Sequence, residues 1–563
     1  MSLRFVFRRL LLPAVLCCLC RPAAQGRFVT PDEVITEGAL KSSAAVFKRS
    51  MTGEQPTKEA IKSAVEAIRK ASDSGDKNGQ FAYAFALHQG AAGDPPKDKP
   101  LALVEEAKTL YKKAADAGVP AAQNNLGLLK LATQEDAKQS IALIEEAATA
   151  GYGKARITMA QIYMEGTGVE KNLEQASRWL QRAEASDPEE AHYLLGLVSE
   201  ASNDQPGAVA NLTKAAEKNY LPAILQLGAK FMNAQATSAE AAAAGREEAR
   251  KWFTKAMEAG APVAKVNLGL IEETQGAAEK DKTKQAEFYK KALQFYQQAA
   301  ASKVPDAYNK LGYFYENGLG VEKSADKAYS YYKQGADAGL PISMYNVAVM
   351  SEEGRGVKEK NESEAVKLFT DAAKRGFGPA QLALGERYRA GKTGLDRDPI
   401  AAMAWIEKSA QSGNVVAQLE LGNMLESGEA GFANLEAAAK IYLELARKGQ
   451  PIAMFQLADM FQKGRGLKQD LAKAYGFMTA AAKILASDEK LGKQAADRLA
   501  ELKKSMSAEQ VKEGEAFLKE LMPSSGTAGS AEKTAEETPA KPRTDSTKPK
   551  SAGGATGAKP KPR

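Results

Sequence analysis

Small and apolar residues recur along most of this 563-residue chain with the spacing of short helices, and the whole pattern repeats at intervals of 32 to 43 residues. A repeat opens with a residue that is usually small and that we number 0. Leu or a similar residue follows at +4, usually with Gly or Ala at +5. At about 100° per residue, positions 0, +1, +4, +5 and +8 lie on one helix face, which predicts the seam of a first helix. The repeats begin at Phe81, Ala122, Ala155, Ala191, Ala223, Ala264, Ala307, Ser343, Ala380, Ala417 and Ala453.

A loop and a second helix follow the first helix in each repeat. Many loops contain Gly-x-Gly, as in segment 318–320, where glycine permits the positive φ of a reversing turn. In the second helix, Ala is followed three residues later by an aromatic or aliphatic residue, at a position we call the slot. Trp179, Trp252 and Trp405 occupy it, but Leu368 does so elsewhere, which favours packing between helices over a binding platform. The pattern predicts an all-α fold, a right-handed α/α solenoid of about eleven helix-turn-helix repeats.

These motifs resemble the Sel1-like repeat family, a relative of the tetratricopeptide repeat. The resemblance is carried by A-x-x-x-L-G in the first helix, the Gly-x-Gly-Val loop, A-x-x-W/Y in the second helix and the Ala-Ala-x-x-Gly ending. It covers about residues 81–485 and is most specific in the repeats that begin at 155, 307, 343, 380 and 453. The resemblance implies a role in assembling protein complexes and in signalling outside the cytoplasm.

The segments outside the repeats differ from them in composition and charge. Residues 27–80 predict an N-terminal helical cap with an amphipathic helix from Thr57 to Ala71, and residues 486–522 predict two C-terminal capping helices. Residues 523–563 are rich in Lys, Pro and Ala without aromatic residues, which predicts a disordered tail. Of the formal charge of +7, residues 1–26 and 523–563 contribute +4 each, so the body carries −1. A neutral body gives no general attraction for nucleic acid, and only the tail could make weak contact with an anionic surface.

Residues 1–26 have the composition of a signal peptide. Arg4, Arg8 and Arg9 form a positive start, and Leu10–Cys20 form an apolar core well short of the roughly 18 residues that span a bilayer. We therefore predict cleavage near residue 26, no integral membrane segment afterwards, and an exported protein, periplasmic or extracellular. All three cysteines lie in this segment, so the processed chain would have no disulfide and no thiolate site.

Residues that could serve an enzyme are sparse and scattered. The chain has two histidines, His88 near the border of a seam and His192 on a seam three repeats away, so a histidine-based metal site or triad is hard to assemble. Lys392-Thr393-Gly394 and the pair Ser324 and Lys327 mimic elements of penicillin-binding enzymes, but that chemistry needs a β-strand and none is predicted. We expect no catalytic residue, no metal and no cofactor.

The leading hypothesis is a non-catalytic scaffold that binds protein or peptide ligands on the concave face of the solenoid. Position +2 is mostly apolar and is expected to pack between first helices, whereas +3 is mostly polar. Amides at +3 could hydrogen-bond a peptide backbone, and Lys310 could take a carboxylate. The candidate groove is the densest run of such residues, Asn267, Lys310 and Asn346. A solvated face without ligand is the competing interpretation, and a cell-wall hydrolase or a purely structural envelope component remain alternatives.

Overall fold

The computed structural model describes residues 28–51, 56–92, 101–234, 238–392 and 394–522. The regular structure in these ranges consists of 27 α-helices and one 3₁₀ turn, Leu485–Ser487, which confirms the prediction of an all-α fold. The predicted signal peptide, the predicted tail and Thr393 lie outside the described residues. The chain divides into two units, one up to residue 275 and one from residue 276, and each is described separately.

The first unit consists of helical pairs preceded by shorter helices. Its five complete pairs, α4–α5 to α12–α13, correspond to the repeats that begin at 81, 122, 155, 191 and 223. The helices are α1 (Pro31–Val34), α2 (Lys41–Met51), α3 (Lys58–Asp73), α4 (Lys77–His88), α5 (Ala102–Asp116), α6 (Pro120–Ala132), α7 (Ala137–Thr149), α8 (Gly153–Glu165), α9 (Leu173–Ala183), α10 (Pro188–Ala201), α11 (Gln205–Glu217), α12 (Leu221–Met232), α13 (Ala239–Glu258) and α14 (Pro262–Ala278), whose last residues belong to the second unit.

The second unit continues the pairing and ends with two further helices. Its five complete pairs, α16–α17 to α24–α25, correspond to the repeats that begin at 307, 343, 380, 417 and 453. The helices are α15 (Lys282–Ala301), α16 (Pro305–Asn317), α17 (Ala325–Asp337), α18 (Pro341–Glu353), α19 (Glu362–Lys374), α20 (Gly378–Ala390), α21 (Pro399–Gln411), α22 (Val415–Ser427), α23 (Leu435–Arg447), α24 (Pro451–Lys463), α25 (Leu471–Ile484), α26 (Glu489–Lys504) and α27 (Ala508–Leu521).

The Gly-x-Gly loops have the turn geometry that the sequence predicted, and they also join successive repeats. Gly464 ends α24 with φ of +65°, and Gly466 follows with φ of +69°. A methyl group on Gly466 would lie 2.5 Å from the carbonyl oxygen of Leu435, at the start of the preceding second helix. The first glycine therefore reverses the chain, and the second lets the loop pack directly on the preceding repeat.

The glycine at +5 permits the close approach of the two helices in a repeat, as predicted. A methyl group on Gly312 would lie 2.5 Å from Tyr332 Cδ1. The residue that this methyl group would meet is one position after the slot. The core position of the second helix is therefore one residue later than predicted. That next residue is buried, as in Tyr332, Phe369 and Tyr442, because a step of about 100° turns it toward the first helix. The slot residue lies at the edge of the core, where Trp179 is buried but Trp252 and Trp405 are only partly so.

The helices outside the repeats pack onto the terminal pairs. In the first unit, α3 begins at Thr57, whose side chain accepts a hydrogen bond from Ala60 N, and it packs against α4. In the second unit, Phe517 of α27 meets Phe477 of α25 edge to face at 5.1 Å, and Arg498 of α26 binds the buried Asp459 at 2.8 Å. Across the described ranges, no helix is long and apolar enough to cross a membrane.

Candidate interaction surface of the first helices

Positions +3, +6 and +9 of the first helices form a surface that we call the first-helix face. Asn267 lies on α14 in the first unit, whereas Lys310 on α16 and Asn346 on α18 lie in the second. All three are half-buried. Asn346 Nδ2 donates to Asn309 Oδ1 at 3.0 Å. Asn309 is next to Lys310 in the chain, and Lys310 itself interacts with another group. The groove predicted at these residues stays a prediction.

Polar residues at +3 make lateral hydrogen bonds to the preceding first helix. Gln456 Nε2 donates to Asn423 Oδ1, at +6 of the preceding repeat, at 3.2 Å, whereas Asn346 donates to Asn309, at +2 of its preceding repeat. In the first unit, Gln226 Nε2 makes a longer bond of 3.4 Å to Glu200. An amide has two N–H donors and an oxygen that can accept twice, so one lateral bond leaves further hydrogen-bonding capacity. These residues therefore connect successive repeats and can still bind a ligand.

Position +9 carries an ion pair that links one repeat to the loop of the next. Glu316 at +9 accepts a hydrogen bond from the Tyr332 hydroxyl at 2.8 Å. It also forms an ion pair with Arg355 Nη1 at 2.6 Å. Arg355 is the middle residue of a Gly-x-Gly loop and also pairs with Glu353. Burial, and next the bond to the Glu316 carboxylate, raise the pKa of the Tyr332 hydroxyl. The bond to Glu316 raises the pKa of Arg355 in turn, so the arginine stays charged.

The same arrangement recurs 110 residues later in the chain, and the sequence contains its signal. Glu426 accepts from the Tyr442 hydroxyl at 3.2 Å and pairs with Arg465 at 2.7 Å. In both cases the acid and the arginine are 39 residues apart, a spacing that the sequence-based prediction did not use. Where the second helix carries Phe369 instead of Tyr, Glu352 at +9 pairs with Arg387, whose guanidinium lies 3.9 Å over the Phe369 ring.

One amide at +3 contacts a peptide backbone directly. Asn125 on α6 is buried; its Oδ1 accepts from Val29 N and its Nδ2 donates to Val29 O, both at 2.8 Å. Val29 belongs to the chain's own residues 28–35, which we call the N-terminal segment. The Phe28 ring of this segment packs against His88, with ring centroids 4.6 Å apart. The first-helix face of the first unit thus holds the backbone of the N-terminal segment through the N–H and the C=O of one residue.

His88 is buried, which its predicted place at the border of a seam did not indicate. The ring is 4% exposed because Phe28 covers it from the N-terminal segment and Tyr111 covers it from α5. Its Nδ1 lies 2.9 Å from the Tyr111 hydroxyl, and its Nε2 lies 2.7 Å from Gln89 Nε2. Burial lowers the pKa of His88 to about 3, so the ring is neutral near pH 7.

The motifs that mimic enzyme elements have structural roles where they are described. Ser324 caps the start of α17, with its hydroxyl accepting from Lys327 N at 3.3 Å, and Lys392 is exposed in a loop. His192 is half-buried, with Nδ1 bonded to the Pro188 carbonyl at 2.7 Å. In the part of the chain that the structure describes, no group of three His, Cys, Asp or Glu side chains is placed to hold a metal ion.

A model of the Sel1 repeat matches the chain at ten ranges: 78–119, 120–152, 154–188, 244–260, 276–303, 305–340, 341–377, 378–414, 415–450 and 451–483. Together they cover more than half of the 563 residues. The chain belongs to the Sel1 repeat family. The resemblance inferred from the motifs is confirmed. The Sel1 matches omit the repeat that begins at 191, the first helix of the one at 223 and most of α14 in the one at 264, although the structure has a helix at each of these places.

Known proteins similar to this Sel1 repeat chain include one from Neisseria meningitidis serogroup B, the uncharacterised protein NMB1327. It is 25% identical over 412 residues, which is 66% of this chain and 81% of the relative. A second similar protein is c5321, a protective antigen of uropathogenic Escherichia coli strains whose crystal structure displays an SLR fold. It is 23% identical, and the match covers 81% of this chain and 94% of the c5321 chain, with a TM-score of 0.43. A Sel1 repeat protein from Oxalobacter formigenes is 22% identical, covers 64% and 90%, and has a TM-score of 0.39. The family assignment rests on the matched repeats. Proteins built from Sel1 repeats generally act as protein-interaction scaffolds.

Proposed function

We propose that this protein is a non-catalytic scaffold or adaptor of the cell envelope that binds protein or peptide ligands on its first-helix face. The observation that supports this most directly is the contact between Asn125 and Val29. There, an amide at +3 pairs with the N–H and the C=O of one backbone residue, both at 2.8 Å. A bound peptide offers the same two groups at every second residue along a surface.

Exposed apolar side chains border the polar positions of the second unit. Tyr313 at +6 is 43% exposed and Ile342, just before the start of its repeat, is 36% exposed. Large apolar side chains that stay in water are candidates for burial by a partner, while amides such as Asn346 fix the register of its backbone. We therefore place a ligand of the second unit along Lys310, Tyr313 and Asn346.

The alternative functions make different demands on the chain. A cell-wall hydrolase would need an acid, a base or a nucleophile that reaches substrate, whereas His88 is buried against Tyr111 and Gln89. A structural envelope component would form an ordered polymer without any ligand. The deciding experiment is affinity purification of the tagged, processed protein from its native envelope, followed by mass spectrometry. Recovery of the same protein partner in independent preparations supports the scaffold, and recovery of the chain alone as a polymer would contradict it.

Replacing the three predicted groove residues should weaken partner binding without unfolding the protein. In the variant Asn267→Ala/Lys310→Ala/Asn346→Ala, we expect the Kd for the purified partner to rise at least tenfold, because each side chain can hydrogen-bond the ligand. The three residues are half-buried on helix surfaces, so the melting temperature should change by only a few degrees. Isothermal titration calorimetry and thermal denaturation measure the two effects.

The matched control is the variant Gln294→Ala/Gln334→Ala/Lys367→Ala. It removes two amides and one lysine from exposed positions of the second helices in the same three repeats. Binding should be unchanged in this control. An equal loss in both variants, or unaltered affinity in the first, would place the ligand away from the first-helix face.

Export by residues 1–26 is part of the same proposal. Alkaline phosphatase folds into an active enzyme only where disulfides form, so a fusion at residue 60 should be active in a bacterial host. The same fusion without residues 1–26 should be inactive. An inactive full fusion, at equal expression, would show that the protein stays in the cytoplasm.

A further inference from the structure

We infer that the cleft between α4, α6 and α8 is a peptide-binding site in its own right, which the N-terminal segment occupies and from which a peptide of another protein, with a backbone that ends in the same short turn, can displace it. This inference rests on the proposed function, because it assigns a ligand class to one part of the first-helix face. The cleft offers three features to its occupant: a fixed amide, an apolar pocket and a cation.

The amide of Asn125 is held in place from the protein side. Its Nδ2 lies 3.4 Å from the Tyr111 hydroxyl, and its Oδ1 accepts from Asn124 Nδ2 at 3.3 Å. Both asparagines are buried while the segment is in place, so the Asn125 amide pairs there with Val29. An amide that is already oriented loses little entropy when it binds a peptide group, which favours a ligand with a free backbone N–H and C=O.

The pocket beside this amide accepts an aromatic and a branched apolar side chain. Phe28 and Val29 are 7% and 2% exposed, and Ile35 at the other end of the segment is 5% exposed. The Phe28 ring lies against the His88 ring in a tilted arrangement. Because His88 and Tyr111 belong to α4 and α5, the pocket wall does not depend on the N-terminal segment.

The cation at the far end of the cleft is only weakly engaged by the segment. Lys154 Nζ lies 3.9 Å from Glu33, but it binds Glu190 at 2.8 Å and Asp187 at 3.3 Å. Glu33 instead closes the segment's own turn, because its Oε2 accepts from Thr30 N at 2.6 Å. The segment therefore keeps its shape through internal bonds, which also means that a separate peptide of this sequence could adopt it.

The occupant follows from these features. It is a peptide that begins with an aromatic residue, followed by a branched apolar residue with a free backbone N–H. A turn comes next, with a carboxylate four residues after the branched residue. The peptide ends with an apolar residue. The chain's own version is Phe-Val-Thr-Pro-Asp-Glu-Val-Ile, residues 28–35. Proline is excluded at the second position, because Asn125 Oδ1 needs the N–H.

The test uses this octapeptide with a fluorescent label, and the full chain with a loosened N-terminal segment, Phe28→Ser/Ile35→Ser. Fluorescence anisotropy should show that the peptide binds the loosened variant at least tenfold more tightly than the unchanged chain, where the cleft is occupied. A peptide that is N-methylated at its valine should bind at least tenfold more weakly, and adding Asn125→Ala should remove binding. A folded, loosened variant that ignores the peptide, or binds the N-methylated one equally well, overturns the inference.

A second measurement decides the matter if the loosened variant does not fold. In the unchanged chain, the Val29 amide should exchange with deuterium at least tenfold faster than the Leu129 amide in the core of α6, because the segment lifts on its own. Equal protection would mean that the segment leaves only when the unit unfolds, and would overturn the inference. The proposed function is tested separately by the variant of Asn267, Lys310 and Asn346, so the two can fail independently.

Discussion

The free energy of unfolding of the first unit is expected to fall by about 2 kcal/mol between pH 7 and pH 5, because of one buried histidine. Burial holds the pKa of His88 at about 3 in the folded protein, against an ordinary value of 6.5. The groups that face the ring, Phe28, Phe85, Tyr111 and Gln89, carry no charge that could stabilise an imidazolium. The folded state therefore resists protonation, whereas the unfolded chain takes up the proton.

The sign follows from the depressed pKa. Above pH 6.5 both states are neutral and the contribution of His88 to stability is complete. It is lost as the pH falls below 6.5, and the loss continues until the pH reaches the folded pKa of about 3. Carboxylates with ordinary pKa values stay ionised between pH 7 and pH 5, so they contribute little to the change in this window.

Hydrogen exchange measured by mass spectrometry, corrected for the intrinsic effect of pH, resolves the change along the chain. Peptides from α4, α5 and α6 should lose protection at pH 5, and those of the second unit, which has no histidine, should not. The variant His88→Gln keeps a polar side chain of similar reach without the titration, so its stability should be nearly constant over the window. Equal pH sensitivity in that variant would assign the effect to another group.

The repeat architecture could be predicted from the sequence because its determinants are local. Gly464 and Gly466 mark a loop by their spacing alone, and both have the positive φ that a reversing turn needs. The glycine or alanine at +5 marks the contact of two helices that are adjacent in the chain. Each of these features depends on residues of one repeat and its neighbour. Because the same pattern is present many times, a helix or loop that is hard to assign in one repeat can be assigned from the others.

The buried position of the second helix was placed one residue too early for a physical reason. Tryptophan marks the slot in three repeats and is the most conspicuous residue there, but a large ring can cover the edge of a core without entering it. Tyr332 and Tyr442 follow the slot and enter the core, with their hydroxyls reaching Glu316 and Glu426.

The Asn125 site could not be predicted, because its partner lies far away in the chain. Asn125 and Val29 are 96 residues apart, and the N-terminal segment has no counterpart in any repeat to reveal its register. The burial of His88 could not be predicted for the same reason, since the segment that buries it is not part of the repeat pattern. The polar character of +3 led to the prediction that amides there could hydrogen-bond a peptide backbone, but the sequence could not show that Asn125 makes such a contact within the chain itself.

The variant Gly422→Ala should destabilise the second unit by about 2 kcal/mol, because the added methyl group has no room. It would lie 2.5 Å from Cε1 and 2.8 Å from Cζ of the Tyr442 ring. The ring cannot turn away freely, since its hydroxyl donates to Asn423 Oδ1 at 2.8 Å and lies 3.2 Å from the Glu426 carboxylate. Overpacking of this kind outweighs the better helix propensity of alanine, which is worth up to about 1 kcal/mol. Urea denaturation followed by circular dichroism measures the loss.

A double-mutant cycle shows whether the Tyr442 ring is the cause. With Tyr442→Leu in the background, the shorter side chain leaves space, so adding Gly422→Ala should cost much less than it does in the unchanged chain. Ala348 occupies +5 in the repeat that begins at 343, where it packs with Phe369, and this shows that alanine is accepted when the facing ring is smaller at its tip. Ala348→Gly is therefore the matched control, and it should lose stability through lost contact and helix propensity, with no strain to relieve. If Gly422→Ala cost the same with tyrosine and with leucine at 442, the glycine at +5 would serve the helix backbone and not the approach of the ring.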